Sequence, residues 1–168
     1  MTTIPAFYRP FIPGQPVRQR ATAFVIRRDP VPALLVYYHP NIKAGLYLPG
    51  GGIEADEAPF DAVCRELIEE SGLDLKTCHA LRSLPVFQYY KPATSRNVER
   101  HDFVFLAPSG LPEWWTHADT AEDENNGEVQ TFQWVTSAQI DRVHPEFQPR
   151  ITADCLPELF GEETIQGA

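Results

Sequence analysis

The 168-residue chain is predicted to form one α/β domain built around a mixed β-sheet. Three observations carry this. Strand-like and helix-like stretches interleave along the chain, which is the pattern of layered α/β architectures. The length matches a single domain of ordinary size. A composition of 43% hydrophobic and 22% charged residues is that of a globular protein, far from the low-hydrophobicity, high-charge region of disorder.

The elements follow in order. Residues 1–19 hold Pro5, Pro10, Pro13 and Pro16 with Phe7, Tyr8 and Phe11 between them. A chain so rich in proline reads as an extended arm, and its aromatic residues suit packing on its own domain or on a partner subunit. The domain proper is expected over 20–168. Arg20 to Arg28 and Ala33 to Tyr38 are apolar runs separated by Asp29-Pro30-Val31-Pro32, the signature of a hairpin. Gly50-Gly51-Gly52 forms a loop in which a ligand can approach the backbone closely. Pro59 suits the first turn of a helix running to Ser71, and Gly72 stops it. Cys78 to Tyr90, Arg100 to Leu106 and Val129 to Val135 read as strands, and 108–128 as a polar acidic loop holding Trp114-Trp115, which is expected to anchor it. Ser137 is placed to cap a short helix over 138–143, and Arg150 to Leu159 is a candidate terminal helix interrupted by Pro157.

No run of about 18 apolar residues is present, and the first residues lack the basic start and apolar core of a signal peptide. Cys64, Cys78 and Cys155 are odd in number and lack CxxC spacing, as expected of reduced thiols. The expectation is a cytoplasmic protein without membrane contact. The net charge of −9 argues against a nucleic-acid partner. Its distribution is uneven: residues 51–73 carry seven acids and one base, residues 113–128 six acids and no base, and residues 1–47 six bases and one acid.

The first acidic stretch has a chemical pattern. Glu66, Glu69 and Glu70 are related by i,i+3 and i,i+4 steps, so three carboxylates share one helix face, while Ala62, Val63 and Leu67 supply a buried side. Glu57 and the glycine loop lead directly into the helix. A hard cation such as Mg²⁺ takes carboxylate and carbonyl oxygens together with water, and this stretch offers both.

The residues Gly51-x5-Glu57-x7-Arg65-Glu66-Leu67-x-Glu69-Glu70-x-Gly72-Leu73 resemble the signature box of the Nudix hydrolases at every fixed position. The resemblance implies a Nudix fold, an α/β/α sandwich around a mixed sheet, and metal-dependent cleavage of a nucleoside diphosphate linked to a group X. A dinucleoside polyphosphate or a nucleoside triphosphate is the candidate substrate. By similarity, Glu66 and Glu70 would be the principal Mg²⁺ or Mn²⁺ ligands, the Gly50 carbonyl a further ligand, and Glu69 a third ligand or the base. Arg65 would orient the carboxylates through Glu57 and Glu69. Glu128, just before a strand, is the alternative base, with Glu122 and Glu124 nearby.

Outside the box, Tyr89 and Tyr90 fall at a spacing similar to the downstream tyrosine of members that cleave diadenosine polyphosphates, and a tyrosine can stack on adenine. Lys43, Lys91, Arg96 and Arg100 are candidate phosphate contacts. Two alternatives stand beside the small-nucleotide hydrolase. One is a non-catalytic nucleotide-sensing module, against which the intact carboxylate set argues. The other is a pyrophosphohydrolase acting on RNA 5′ ends, which would require the basic N-terminal region to form a local groove. A homodimer is left open by the aromatic arm.

Overall fold

A computed structural model describes residues 8–41 and 45–161. Phe7 and Lys43 lie outside the described residues. The sheet has eight strands: β1 (Val17–Arg27), β2 (Ala33–Tyr38), β3 (Gly50–Gly52), β4 (His79–Ser83), β5 (Phe87–Lys91), β6 (Arg96–Leu106), β7 (Trp114–Ala118) and β8 (Val129–Val135). Its main path runs β4-β6-β1-β2-β8-β7, with β3 added to β1 and β5 to β6. β1 and β6 are parallel over Val17↔Asn97 to Ile26↔Leu106 and every other pairing is antiparallel, which makes the sheet mixed.

β1 is central, and its residues from Ala21 to Arg27 are buried on both faces. Ala21, Ala23 and Val25 face one core with Leu35, Phe132, Trp134 and the helix residues Ala62, Val63 and Leu67. Phe24 and Ile26 face the other, with Leu34, Val36, Val104, Phe147, Ile151, Leu156 and Leu159. The helix α1 (Pro59–Ser71) lies on the first face. On the second lie short 3₁₀ turns, Ser137–Arg142 and Gln148–Arg150, followed by irregular chain. Two apolar layers around a two-sided sheet give the expected sandwich.

Five local expectations change. Residues 108–128 contain a strand, β7, because Trp115 and His117 point inward and alternate with more exposed neighbours, a period-2 signal hidden by the surrounding acids. The glycine loop is itself a strand, β3. The stretch 78–90 splits into β4 and β5 around Leu84-Pro85-Val86, since proline cannot donate to a sheet ladder. The C-terminal helix over 150–159 gives way to turns, consistent with Pro149 and Pro157 interrupting it. The segment over 137–142 is 3₁₀ rather than α, and Thr136 caps it in a box with Gln139.

The described part of the arm packs on its own domain. Arg9 bridges Tyr90 at the β5 edge, Tyr8 meets Tyr89 edge-on at 5.5 Å, and the Ile12 N–H donates to Asn97 Oδ1 at 2.9 Å. Asn97, fully buried, returns its Nδ2 to the Ile12 carbonyl at 2.6 Å. Because truncation would leave arm groups without partners, Asn97→Ala should cost about 2 kcal/mol in urea unfolding, with unchanged m-value.

Candidate active site

β3 runs into α1 through six residues, so the strand and the first helical turns face each other across a narrow gap. Two glycines are required by close approach. A Cβ on Gly50 would stand 2.3 Å from the Ala21 carbonyl oxygen, and one on Gly51 would stand 2.3 Å from Glu66 Oε1. The helix ends where Gly72 adopts a left-handed φ of 72° and donates its N–H to the Ile68 carbonyl.

Arg65 organises the junction. Its Nε and Nη2 donate to both oxygens of Glu57, at 2.8 and 2.9 Å. Nη1 reaches Glu66 Oε1 at 3.0 Å and Glu69 Oε2 at 3.3 Å, and Nη2 also donates to the Gly52 carbonyl at 3.0 Å. Only a planar guanidinium can fork to so many acceptors at once. The Glu57 hydrogen bonds raise the Arg65 pKa, and the reciprocal effect holds the Glu57 carboxyl below its ordinary value.

Burial pushes Glu66 and Glu69 upward despite Arg65. Glu70 goes furthest: it is 7% exposed, and burial, reinforced by Glu66, raises its pKa well above the carboxylate range. The Gly50 N–H donates to its Oε2 at 3.1 Å.

These groups border a cleft of about 400 Å³. Glu66, Glu70, Arg65 and Gly50–Gly52 form one wall, Tyr37, His39, Asp119, Glu128 and Gln130 line it from the sheet and the 119–128 loop, and Arg18 and Arg20 supply positive charge. Among the described residues no carboxylate lies within ion-pair distance of Arg18 or Arg20. The loop is tied to the helix by the Thr120 N–H donating to the Glu69 carbonyl at 3.1 Å. Glu128 Oε2 is 3.0 Å from His39 Nε2.

The residues singled out in the sequence therefore divide. Gly50, Arg65, Glu66, Glu70 and Glu128 line the cleft, while Glu57 and Glu69 stand behind it on Arg65. Tyr89 and Tyr90 do not line it. Tyr89 is 1% exposed, with its hydroxyl donating to Glu146, and Tyr90 is tied up with Arg9. Arg100 is buried against Asp102 at 2.7 Å and the Glu146 carbonyl at 2.8 Å. Arg96 lies on the exposed β6 start near Arg18. Trp115 does anchor its segment, with Nε1 donating to the Ser71 carbonyl at 2.9 Å and its ring stacked on Phe132. Arg18, Arg20, Tyr37, His39, Asp119 and Gln130 went unnoticed as site residues in the sequence, and the basic excess of residues 1–47 was the only available pointer to the arginines.

The donor set suits a hard divalent cation. The Glu66 carboxylate fills the space a Gly51 Cβ would take, and Glu70 is a buried carboxyl that ionises unfavourably without an added positive charge. Among the described residues no three His, Cys, Asp or Glu side chains already converge as a metal cage. Mg²⁺ commonly keeps several waters and takes only one or two carboxylates, so Glu66 and Glu70 are the side chains that could hold one. Because both pKa values are raised by folding, the contribution of these two groups to metal-free stability is fully present below the ordinary carboxylate value and is lost as pH rises through the folded values. In EDTA, Glu70→Gln should therefore melt higher than the parent at pH 8, by about 2–4 °C for each kcal/mol of relieved repulsion, and the difference should shrink toward pH 5.

Comparison with known proteins extends this picture. The chain is 28% identical over 122 residues, 68% of its length and 69% of the relative's, to an RNA pyrophosphohydrolase of Bartonella quintana (strain Toulouse). That similarity corrects the expectation against a nucleic-acid partner. Net charge averages over the whole surface, whereas Arg18 and Arg20 place positive charge at the cleft itself. Shared fold is seen with a Nudix hydrolase from M. smegmatis, at a TM-score of 0.59 and 18% identity over 86% of each chain. It is seen also with an Ap4A hydrolase from C. elegans, at 0.56 and 14% identity over 86% of this chain and 97% of that one. The NUDIX domain model matches residues 17–155, which takes in every strand and α1, and the chain thus belongs to the NUDIX domain family as a Nudix pyrophosphohydrolase.

Proposed function

We propose that the protein hydrolyses the phosphoanhydride at the 5′ end of RNA, releasing pyrophosphate and leaving a 5′-monophosphate, with Mg²⁺ or Mn²⁺ held by Glu66 and Glu70. The observation that carries this reading is the pair Arg18 and Arg20, cations that have no carboxylate within ion-pair distance among the described residues, on a cleft whose lining also holds Glu66, Glu70, Asp119, Asp123 and Glu128. The similarity to an RNA pyrophosphohydrolase supports it. When bound, the divalent cation neutralises phosphate oxygens and lowers the pKa of the attacking water.

The chain's own residues do the rest. Arg65 fixes the angle of Glu66 to the strand while satisfying Glu57 and Glu69. Arg18 and Arg20 bind and orient phosphate oxygens, which suits a reaction governed by positioning and charge. Glu128 accepts the proton of the attacking water: it lines the cleft and has His39 Nε2 at 3.0 Å to share that proton. Glu69 is the weaker candidate, being held by Arg65 and set back from the cleft. Water is added across one P–O–P bond, its hydroxyl to phosphorus and its proton to Glu128.

The test is product analysis with 5′-triphosphate RNA, a nucleoside triphosphate and diadenosine tetraphosphate. Mg²⁺-dependent pyrophosphate release from the RNA, abolished by EDTA and at least about 10-fold more efficient than turnover of the small nucleotides, is expected. Turnover of a small nucleotide with none of RNA would overturn the substrate assignment. Arg20→Ala should raise KM for RNA by roughly 10-fold, equivalent to about 1.4 kcal/mol, with kcat within about 3-fold. Glu66→Gln should lower kcat by at least about 10²-fold, as expected for a lost metal ligand.

A further inference from the structure

The last turn of α1 is held from outside the helix. An α-helix leaves its final four carbonyls without intrahelical donors, and here each of them is given one. Ile68 receives the Gly72 N–H at 3.0 Å, Glu69 the Thr120 N–H at 3.1 Å, Glu70 the His117 Nδ1 at 2.9 Å and Ser71 the Trp115 Nε1 at 2.9 Å. Three of these donors come from β7 and the two residues that follow it.

The helix has need of them. A helix C-terminus carries partial negative charge and is stabilised there by cations, yet the last turn of α1 holds Glu69 and Glu70 and no basic residue. Helix ends fray when nothing holds them, and Glu70 would move with this one. Among the three contacts from β7, that of His117 bears most directly on the cleft. A carbonyl oxygen can only accept, so Nδ1 carries the proton and the tautomer of the ring is fixed. The ring also sits tightly on the helix end, since a Cβ on Gly72 would stand 2.6 Å from its Cδ2.

Glu70 is thereby pinned on two sides, its main chain to β7 through His117 and its carboxylate to β3 through the Gly50 N–H at 3.1 Å. β7 leads directly into Asp119, whose N–H donates to the Glu128 carbonyl at 2.8 Å. One strand therefore ties the carboxylate assigned to the metal to the one assigned to the proton. We propose that His117 is a positioning residue for the reaction: by giving its Nδ1–H to the Glu70 carbonyl, it sets where the Glu70 carboxylate stands relative to Glu66 and Glu128. The inference deepens the reading of Glu66 and Glu70 as metal ligands and rests on it.

The test compares His117→Leu, which removes the donor, with His117→Asn, whose side-chain N–H₂ can take the place of Nδ1–H, both in the full chain. Free Mn²⁺ is followed by electron paramagnetic resonance, and turnover with 5′-triphosphate RNA. His117→Leu should weaken Mn²⁺ binding and lower kcat by about 10-fold each, the scale of a lost partner behind a metal ligand, with KM within about 3-fold. His117→Asn should recover most of both losses. In the metal-free parent at alkaline pH, nitrogen NMR should find the His117 proton on Nδ1. If His117→Leu does not fold, Trp115→Phe, which keeps a ring on Phe132 and gives up the Ser71 contact, should weaken Mn²⁺ binding in the same direction. Parental Mn²⁺ affinity in His117→Leu, even with a lowered thermal midpoint, would overturn the positioning role, as would His117→Asn losing as much as His117→Leu or a proton found on Nε2. Parental Mn²⁺ affinity in Glu66→Gln is a different result: it would remove the metal assignment itself, and the positioning role with it.

Discussion

The geometry of the cleft depends on the guanidinium of Arg65. Three carboxylates that repel one another and a strand carbonyl all accept hydrogen bonds from this one group: Glu57, Glu66, Glu69 and Gly52. Remove it, and the helix face has no fixed relation to β3. Charge-assisted bonds of this kind are stronger than neutral ones, and the bidentate contact to Glu57 adds direction. Because Arg65 is only a quarter exposed, these contacts are less screened than those of a surface pair.

Around this fixed point the protein holds acidity under tension. Glu70 is buried beside Glu66, its charge favoured by the Gly50 N–H and more weakly by Arg20, and Asp119 is raised on the far side of the cleft by burial and by its acidic neighbours. Packing of the helix against the sheet core supplies the stability that tolerates this arrangement. Leu67, fully buried, sits between Glu66 and the Glu69-Glu70 pair, so the apolar residue that docks the helix also sets which carboxylates face the cleft. A site that is unfavourable for bare carboxylates is for that reason favourable for a cation, and the closeness of Gly51 to Glu66 leaves no side chain to take the cation's place.

Local features were legible in the sequence. Pro59 and Gly72 bounded α1 correctly because helix starts and stops are set within a few residues, and the Arg65 pairing with Glu57 and Glu69 followed the box spacing and the helical repeat. The hairpin of β1 and β2 was visible for the same reason. What failed was non-local. Nothing near Arg18 or Arg20 indicates that β1 pairs parallel with β6 and carries both arginines past the glycine strand. Tyr89 and Arg100 read as substrate contacts when taken singly. Their burial depends on Glu146, more than forty residues away, accepting from the Tyr89 hydroxyl and offering its carbonyl to Arg100. Gln130 carried no signal, since an alternating strand with one polar inward position looks like any other until its neighbours' hydrogen bonds are assigned.

The account separates the charge of the chain by location. The acids of the box and of the 119–128 loop face each other across the cleft, and among the described residues the basic excess of the N-terminal region reaches it through Arg18 and Arg20. On this view Arg65 acts by geometry more than by charge. The most direct measurement is the Mn²⁺ affinity of Arg65→Lys, which keeps the positive charge and loses the fork. The account predicts affinity weakened at least about 10-fold, with the thermal midpoint lowered by no more than a few degrees, since an ammonium cannot hold Glu57, Glu66 and Gly52 together. Parental affinity in that variant would contradict it, because charge alone would then hold the site.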